Sequence, residues 1–221
     1  VEPPTAIPLA RDLSAEANRK LERDGVLAIG ECADPTDLSA LATLVFNKTG
    51  SQEPLVSRLP LDRLRTARPN EGYRLLVALM AEGAIGHVLS LNFDLAVQNA
   101  ASELGSVISV VEEAGKPIPV KATIVHLHGT ASHSSENLVL RQEVINLAWK
   151  ASWQQVVAQQ ILAAPNVLFI GLGSAAPVLS ETVAMIREAV KHQKTFYQAD
   201  VSEHGANYFA KQLDVAPDRY I

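Results

Sequence analysis

The sequence predicts an open, doubly wound α/β fold, with a mostly parallel sheet and helices on both of its faces. Short runs rich in valine, isoleucine and leucine recur along the chain, and segments of helical period separate them. Several of these runs end at a glycine or a small polar residue, where a turn opens. The runs are continuous rather than alternating, which is the pattern of strands covered from both sides.

Taken in order, residues 9–24 bring Leu9, Leu13, Ala17 and Leu21 onto one face and predict the first helix. Residues 26–30 form a short apolar run, read as a strand. A helix over 37–46 follows, with Asp34, Thr36 or Asp37 as its cap. Three prolines and no sustained period mark 49–69 as an excursion of loops and short helices, leading to a helix over 70–82 that Gly83 ends. Three strand-like blocks come next, at 86–91 (GHVLSL), 106–111 (SVISVV) and 122–127 (ATIVHL), with a helix over 94–104 between the first two. Beyond a polar loop, 142–164 reads as helix and 166–170 as the most strand-like run of the chain. A helix over 178–192, a strand over 195–199 and a helix over 203–213 complete the pattern.

Composition narrows the function. With 221 residues, 48% of them hydrophobic, the chain suits one α/β domain over 1–221. The net charge is −5 and the basic residues are scattered, so the broad positive field that nucleic acid requires is missing. One cysteine, Cys32, excludes an internal disulfide and a four-thiolate zinc site. No apolar run reaches the roughly 18 residues of a membrane span, and the N-terminus lacks the layout of a secretory signal. The expectation is a cytoplasmic protein with no membrane and no direct nucleic-acid partner.

In an open parallel sheet, ligands bind beyond the carboxyl ends of the strands, so polar residues there are the candidates. SLNFD supplies Asn92 and Asp94, residue types that also serve simply to turn a chain and cap a helix. VHLHG places His126 and His128 two residues apart; His126 lies inside the apolar run as a structural histidine, and His128 stands at its end beside Gly129. A metal held by the pair would need a third ligand, and none is evident. NVLFIGLGSAAP runs from a strand into Gly171, Gly173 and Ser174, a loop equally suited to a tight turn and to close approach of a phosphate or ribose. Ile7, Pro8 and Arg11 lie at the start of the first helix, where Arg11 also fits a solvent-facing role.

Together and in this order, these segments resemble the sirtuin-like family, particularly its bacterial branch without the zinc ribbon. AIPLARDL is similar to the family segment that follows a GAG loop, and the GAG strand itself would lie upstream of Val1 in a longer chain. Placing GECAD (30–34) in the GAG position would set Glu31 and Asp34 against phosphate and leave AIPLAR unexplained. PNEGYRLLVALMAEGAIGHVLSLNFD resembles the block ending in TTNYD or TTNFD, with Ser90 and Leu91 in place of the threonines. VHLHG and VLFIGLGSAAP match the later histidine-glycine and glycine-serine segments.

The resemblance implies a Rossmann-like, sirtuin-like fold and NAD as substrate, with no metal. It implies that Asn92 and Asp94 hold the nicotinamide ribose and carboxamide region, that Asn92 positions a water, and that His128 is the general base. Gly129 belongs to the same motif. Gly171, Gly173 and Ser174 would lie against the adenosine ribose and phosphates, Asp200 near the adenine ribose, and Ile7, Pro8 and Arg11 at the nicotinamide pocket. The implied activity is hydrolysis of the nicotinamide–ribose bond, as an antiphage effector that forms a homo-oligomer or works with a fused or associated sensor module. Deacylation of proteins is disfavoured by the missing zinc cysteines. The alternative is a non-catalytic module that binds NAD or ADP-ribose as a sensor or assembly surface.

Overall fold

The computed structural model describes residues 7–112, 122–141, 143–144, 153–162, 164–171 and 195–199. The chain divides into two compact units, 1–145 and 146–221, each with its own parallel strands. Among the described residues, no helix is long and apolar enough to cross a membrane.

The first unit begins with helices. α1 (Ala10–Arg23) buries Leu13, Ala17 and Leu21, as the spacing predicts, whereas Leu9 precedes the helix and is 58% exposed. α2 (Leu38–Thr49) starts at Asp37, whose carboxylate accepts from the amides of Ser39 and Ala40, and ends at Gly50 with φ +77°. Two short helices follow, α3 (Glu53–Val56) and α4 (Leu61–Arg65). Leucines 21, 41 and 55 are sealed in one apolar cluster with Val45, Leu138 and Leu140. Each such side chain contributes roughly 2 kcal/mol by leaving water.

The strand expected over 26–30 is a turn instead. The amides of Val26 and Leu27 both fold back onto the Leu21 carbonyl at the end of α1, at 2.9 and 3.2 Å. Glu31 takes the amide of Ala28 and Glu22 that of Gly30, so side chains occupy donors that a neighbouring strand would need. Only Leu27 of the run is buried, while Ile29 is 90% exposed. The apolar run was too short for its composition to outweigh this local capture.

α5 (Glu71–Ala81) is capped by the Asn70 side chain, which accepts from Tyr73 N–H at 3.0 Å. It leads into β1 (His87–Ser90), α6 (Ala96–Glu103), β2 (Ser109–Val111) and β3 (Thr123–His126). The sheet order is β1-β3-β2, all parallel, so the last strand slots between the other two. All four residues of β3 are buried, as befits a central strand. Ile124 packs with Val77 of α5 and Val97, Ala100 and Ala101 of α6, which fixes both helices against one face of the sheet.

The second unit contains α7 (Trp153–Leu162), within the predicted helix over 142–164, and the parallel pair β4 (Asn166–Ile170) and β5 (Thr195–Ala199). The predicted helices over 178–192 and 203–213 lie outside the described residues.

One turn after β3 depends on its glycine. Gly129 has φ +81°, and a Cβ there would stand 2.7 Å from the Asn137 carbonyl oxygen. Gly83 has a similar φ of +77° with open space around it. Gly129→Ala should therefore cost about 2–3 kcal/mol, against about 1 kcal/mol for Gly83→Ala, in urea denaturation of the two variants. Equal losses would show that backbone conformation alone, and not the approach of residue 137, requires glycine at 129.

Candidate active site

The register of the sheet determines what meets at its carboxyl edge. Ser90 of β1 pairs with His126 of β3, and the amide of Leu127 still reaches the Ser90 carbonyl at 3.0 Å. Asn92 and His128 each lie two residues further on, so the two adjacent strands deliver them side by side. The geometry supports this directly: the His128 ring bonds the carbonyl of Leu91, the residue before Asn92, and lies 6.3 Å from the Phe93 ring.

Asn92 is exposed, but its backbone is held. Its N–H donates to the Ser90 hydroxyl at 3.2 Å, so the serine that replaces a family threonine keeps a hydroxyl for this turn. Its carbonyl lies 3.0 Å from Nδ1 of His126. Its side chain is a hydrogen-bond partner of Tyr73, on α5, whose hydroxyl is pushed above the usual tyrosine range chiefly by burial and by the nearby Asp94. Asp94 is buried just ahead of α6 and accepts from the N–H of Ala96, the first residue of that helix, at 3.0 Å. Burial raises its carboxyl above the ordinary range, against that hydrogen bond and the neighbouring His126.

The two histidines of VHLHG have different surroundings. His126 is 1% exposed and both ring nitrogens are engaged, Nδ1 with Asn92 and Nε2 with the Gln98 side chain at 2.7 Å. Burial lowers its pKa, so the ring is neutral near pH 7. His128 bonds the Leu91 carbonyl, while its Nε2 is buried with no hydrogen-bond partner among the described residues. Burial pushes this ring down to about 4, with the Leu91 bond opposing the shift. A carbonyl can only accept, so the Leu91 bond uses Nδ1–H and leaves a lone pair on Nε2. That nitrogen is a neutral proton acceptor on a ring tied to the residue before Asn92.

The loop after Gly129 is anchored from several sides. Val139 N–H donates to the His128 carbonyl at 2.9 Å, and Ala131 N–H to the Phe93 carbonyl at 2.8 Å. Arg65 of α4 donates to the Ala131 carbonyl at 2.7 Å. Gln52, which precedes α3, donates to the carbonyls of Ser135 and Leu138. Beside this loop, His133 lies 3.0 Å from the Glu112 carboxylate, at the carboxyl end of β2.

Sequence reasoning missed Glu112, Tyr73 and Gln98. Glu112 was within reach, because it is the first polar residue after the SVISVV run. Gln98 lies four residues after Asp94, hence on the same helical face. Tyr73 gave no comparable signal.

Ile7 and Pro8 are half-buried ahead of α1, and Arg11 is exposed on its first turn with Asp12 3.8 Å away. Gly171 follows β4 with φ +62° and donates its N–H to the Ala199 carbonyl at 3.1 Å. Gly173, Ser174 and Asp200 lie outside the described residues.

No curated protein matches the chain. The family model of the SIR2-like domain matches residues 86–214, a span that opens at β1 and includes Asn92, His128, Gly129 and the glycine-serine segment. The match covers more than half of the 221 residues and coincides with a parallel-stranded, Rossmann-like α/β architecture, so the chain belongs to the SIR2-like domain family, with an NAD-related function.

Proposed function

We propose that this protein is an NAD hydrolase that cleaves the nicotinamide–ribose bond to release nicotinamide and ADP-ribose. The observation that best supports this is the buried, unpartnered Nε2 of His128, on a neutral ring that bonds the carbonyl of the residue before the exposed Asn92. A buried acceptor without a partner costs free energy in the free protein, and a ribose or water hydroxyl donating to it would offset that cost.

In the reaction, the bond between C1′ of the ribose and the pyridinium nitrogen breaks, and its electron pair neutralises the pyridinium. The ribose is left with oxocarbenium character. Water adds to C1′, and the proton it loses passes to Nε2 of His128. A water bound to such a cation is strongly acidic, so even the weak base that His128 is in its buried setting can accept that proton. Asn92 orients the water or a ribose hydroxyl without adding charge.

On this reading, the glycine-serine segment and Asp200 serve the adenosine half of NAD, and Ile7, Pro8 and Arg11 border the nicotinamide. NAD loss of this kind suits an antiphage effector in the cytoplasm, and its toxicity would call for control by homo-oligomerisation or by a sensor module. That role rests on the family likeness.

In purified full-length protein, Asn92→Ala and His128→Ala should each lower nicotinamide release by about 100- to 10,000-fold. NAD affinity measured by calorimetry should stay within a factor of about ten, since neither residue carries the bulk of the binding. Variants that bind and cleave like the parent would end the proposal.

The pH dependence follows from the burial of His128. Its ring must be neutral to accept a proton, and its pKa in the folded protein is about 4, below the ordinary 6.5. The acidic limb of kcat/KM should stay flat from neutrality to about pH 5 and fall near 4. The unfolded chain takes up this proton first, so the same ring destabilises the fold as pH drops below 6.5 toward 4. An acidic limb centred near 6.5 would place the ring in water rather than in the wall of the site.

A further inference from the structure

We propose that His126 and Gln98 are positioning residues that hold Asn92 in its working place through the backbone. The catalytic consequence of this rests on the hydrolase reading above.

The tautomer of His126 follows from its two partners. Nδ1 of His126 faces the Asn92 carbonyl at 3.0 Å, and a carbonyl only accepts, so Nδ1 carries the hydrogen. Nε2 then has only a lone pair to offer, and it is met by the amide nitrogen of Gln98 at 2.7 Å. Gln98 thereby selects the tautomer that grips Asn92.

This arrangement has a cost that packing does not require. The Gln98 carbonyl oxygen is buried with no partner among the described residues. A leucine pair of similar volume would fill the space without burying unmet polar atoms. What the polar pair adds is a fixed Asn92 carbonyl.

That carbonyl and the Asn92 side chain branch from the same Cα. Beyond Ser90 the chain has left its ladder, and the segment is tied on one side by the Ser90 hydroxyl and on the other by the bond from Ala96 N–H to the Asp94 carboxylate. The His126 bond lies between these ties and stops the peptide from rotating. Releasing it would swing the Asn92 amide relative to His128, and a misplacement of about 1 Å can cost about 100-fold in rate.

The test uses three variants of the full chain, each read by hydrogen–deuterium exchange over residues 90–96 and by NAD turnover. His126→Asn keeps a donor where Nδ1 stood, His126→Gln reaches only toward Gln98, and His126→Leu keeps neither. Expected are exchange about 10-fold faster and kcat about 10- to 100-fold lower in His126→Gln and His126→Leu, with KM within about 3-fold. His126→Asn should restore both readouts to within about 3-fold of the parent.

If the Asn and Gln variants behave alike, or if exchange over 90–96 is unchanged in all three, the proposal is overturned. Should His126→Leu not fold, the Asn and Gln pair still decides it. If the parent protein does not cleave NAD, the hydrolase reading fails by itself, and the exchange pattern still decides whether this pair holds Asn92.

Discussion

A buried imidazole joins the ends of two parallel strands where their own hydrogen bonding stops. Past the Ser90–His126 pair, the chain segments at the carboxyl edge have no ladder to satisfy them. Side chains take over: carbonyls of Leu91, Asn92, Ala131, Ser135 and Leu138 are met by His128, His126, Arg65 and Gln52. Backbone groups leaving a sheet must find partners, and here they find them on residues that also define the site.

The same residue type plays two parts two positions apart. His126 and His128 are both neutral because both are shielded from water, yet one spends both nitrogens on the protein and the other keeps one unspent. What separates the two histidines here is the count of local partners. The carboxylates are both engaged: Asp94 holds the Ala96 amide at the start of α6, and Glu112 is matched by His133.

Much of this was legible in the residues. Period and caps located α1, α2, α5 and α6, because these helices bury one face and start at Asp37 and Asn70 or near Asp94. The carboxyl-edge rule led to Asn92 and His128, because strand ends are visible as changes from apolar to polar. The turn at 26–30 was illegible for a physical reason: its outcome depends on Glu22 and Glu31 reaching backbone donors, a competition that hydrophobicity does not register. The partnership of Gln98 with His126 was equally hidden, since it joins a helix to a strand 28 residues away. The family match reaches Asn92 and His128 and stops short of Ile7, Pro8 and Arg11, whose assignment rests on the opening segment alone.

The reach of Gln52 across to residues 135 and 138 makes the start of the family match, at residue 86, a poor place to cut. Leu138 and Leu140 follow the glycine turn, yet they are buried among side chains of the first three helices, all of them N-terminal to the matched span. A fragment starting at residue 86 would expose those leucines to water and leave the segment behind His128 without its anchors. For anyone grafting this module into another protein, the smallest portable piece therefore includes α1 through α3, and the histidine motif inherits its rigidity from sequence that precedes it by more than seventy residues.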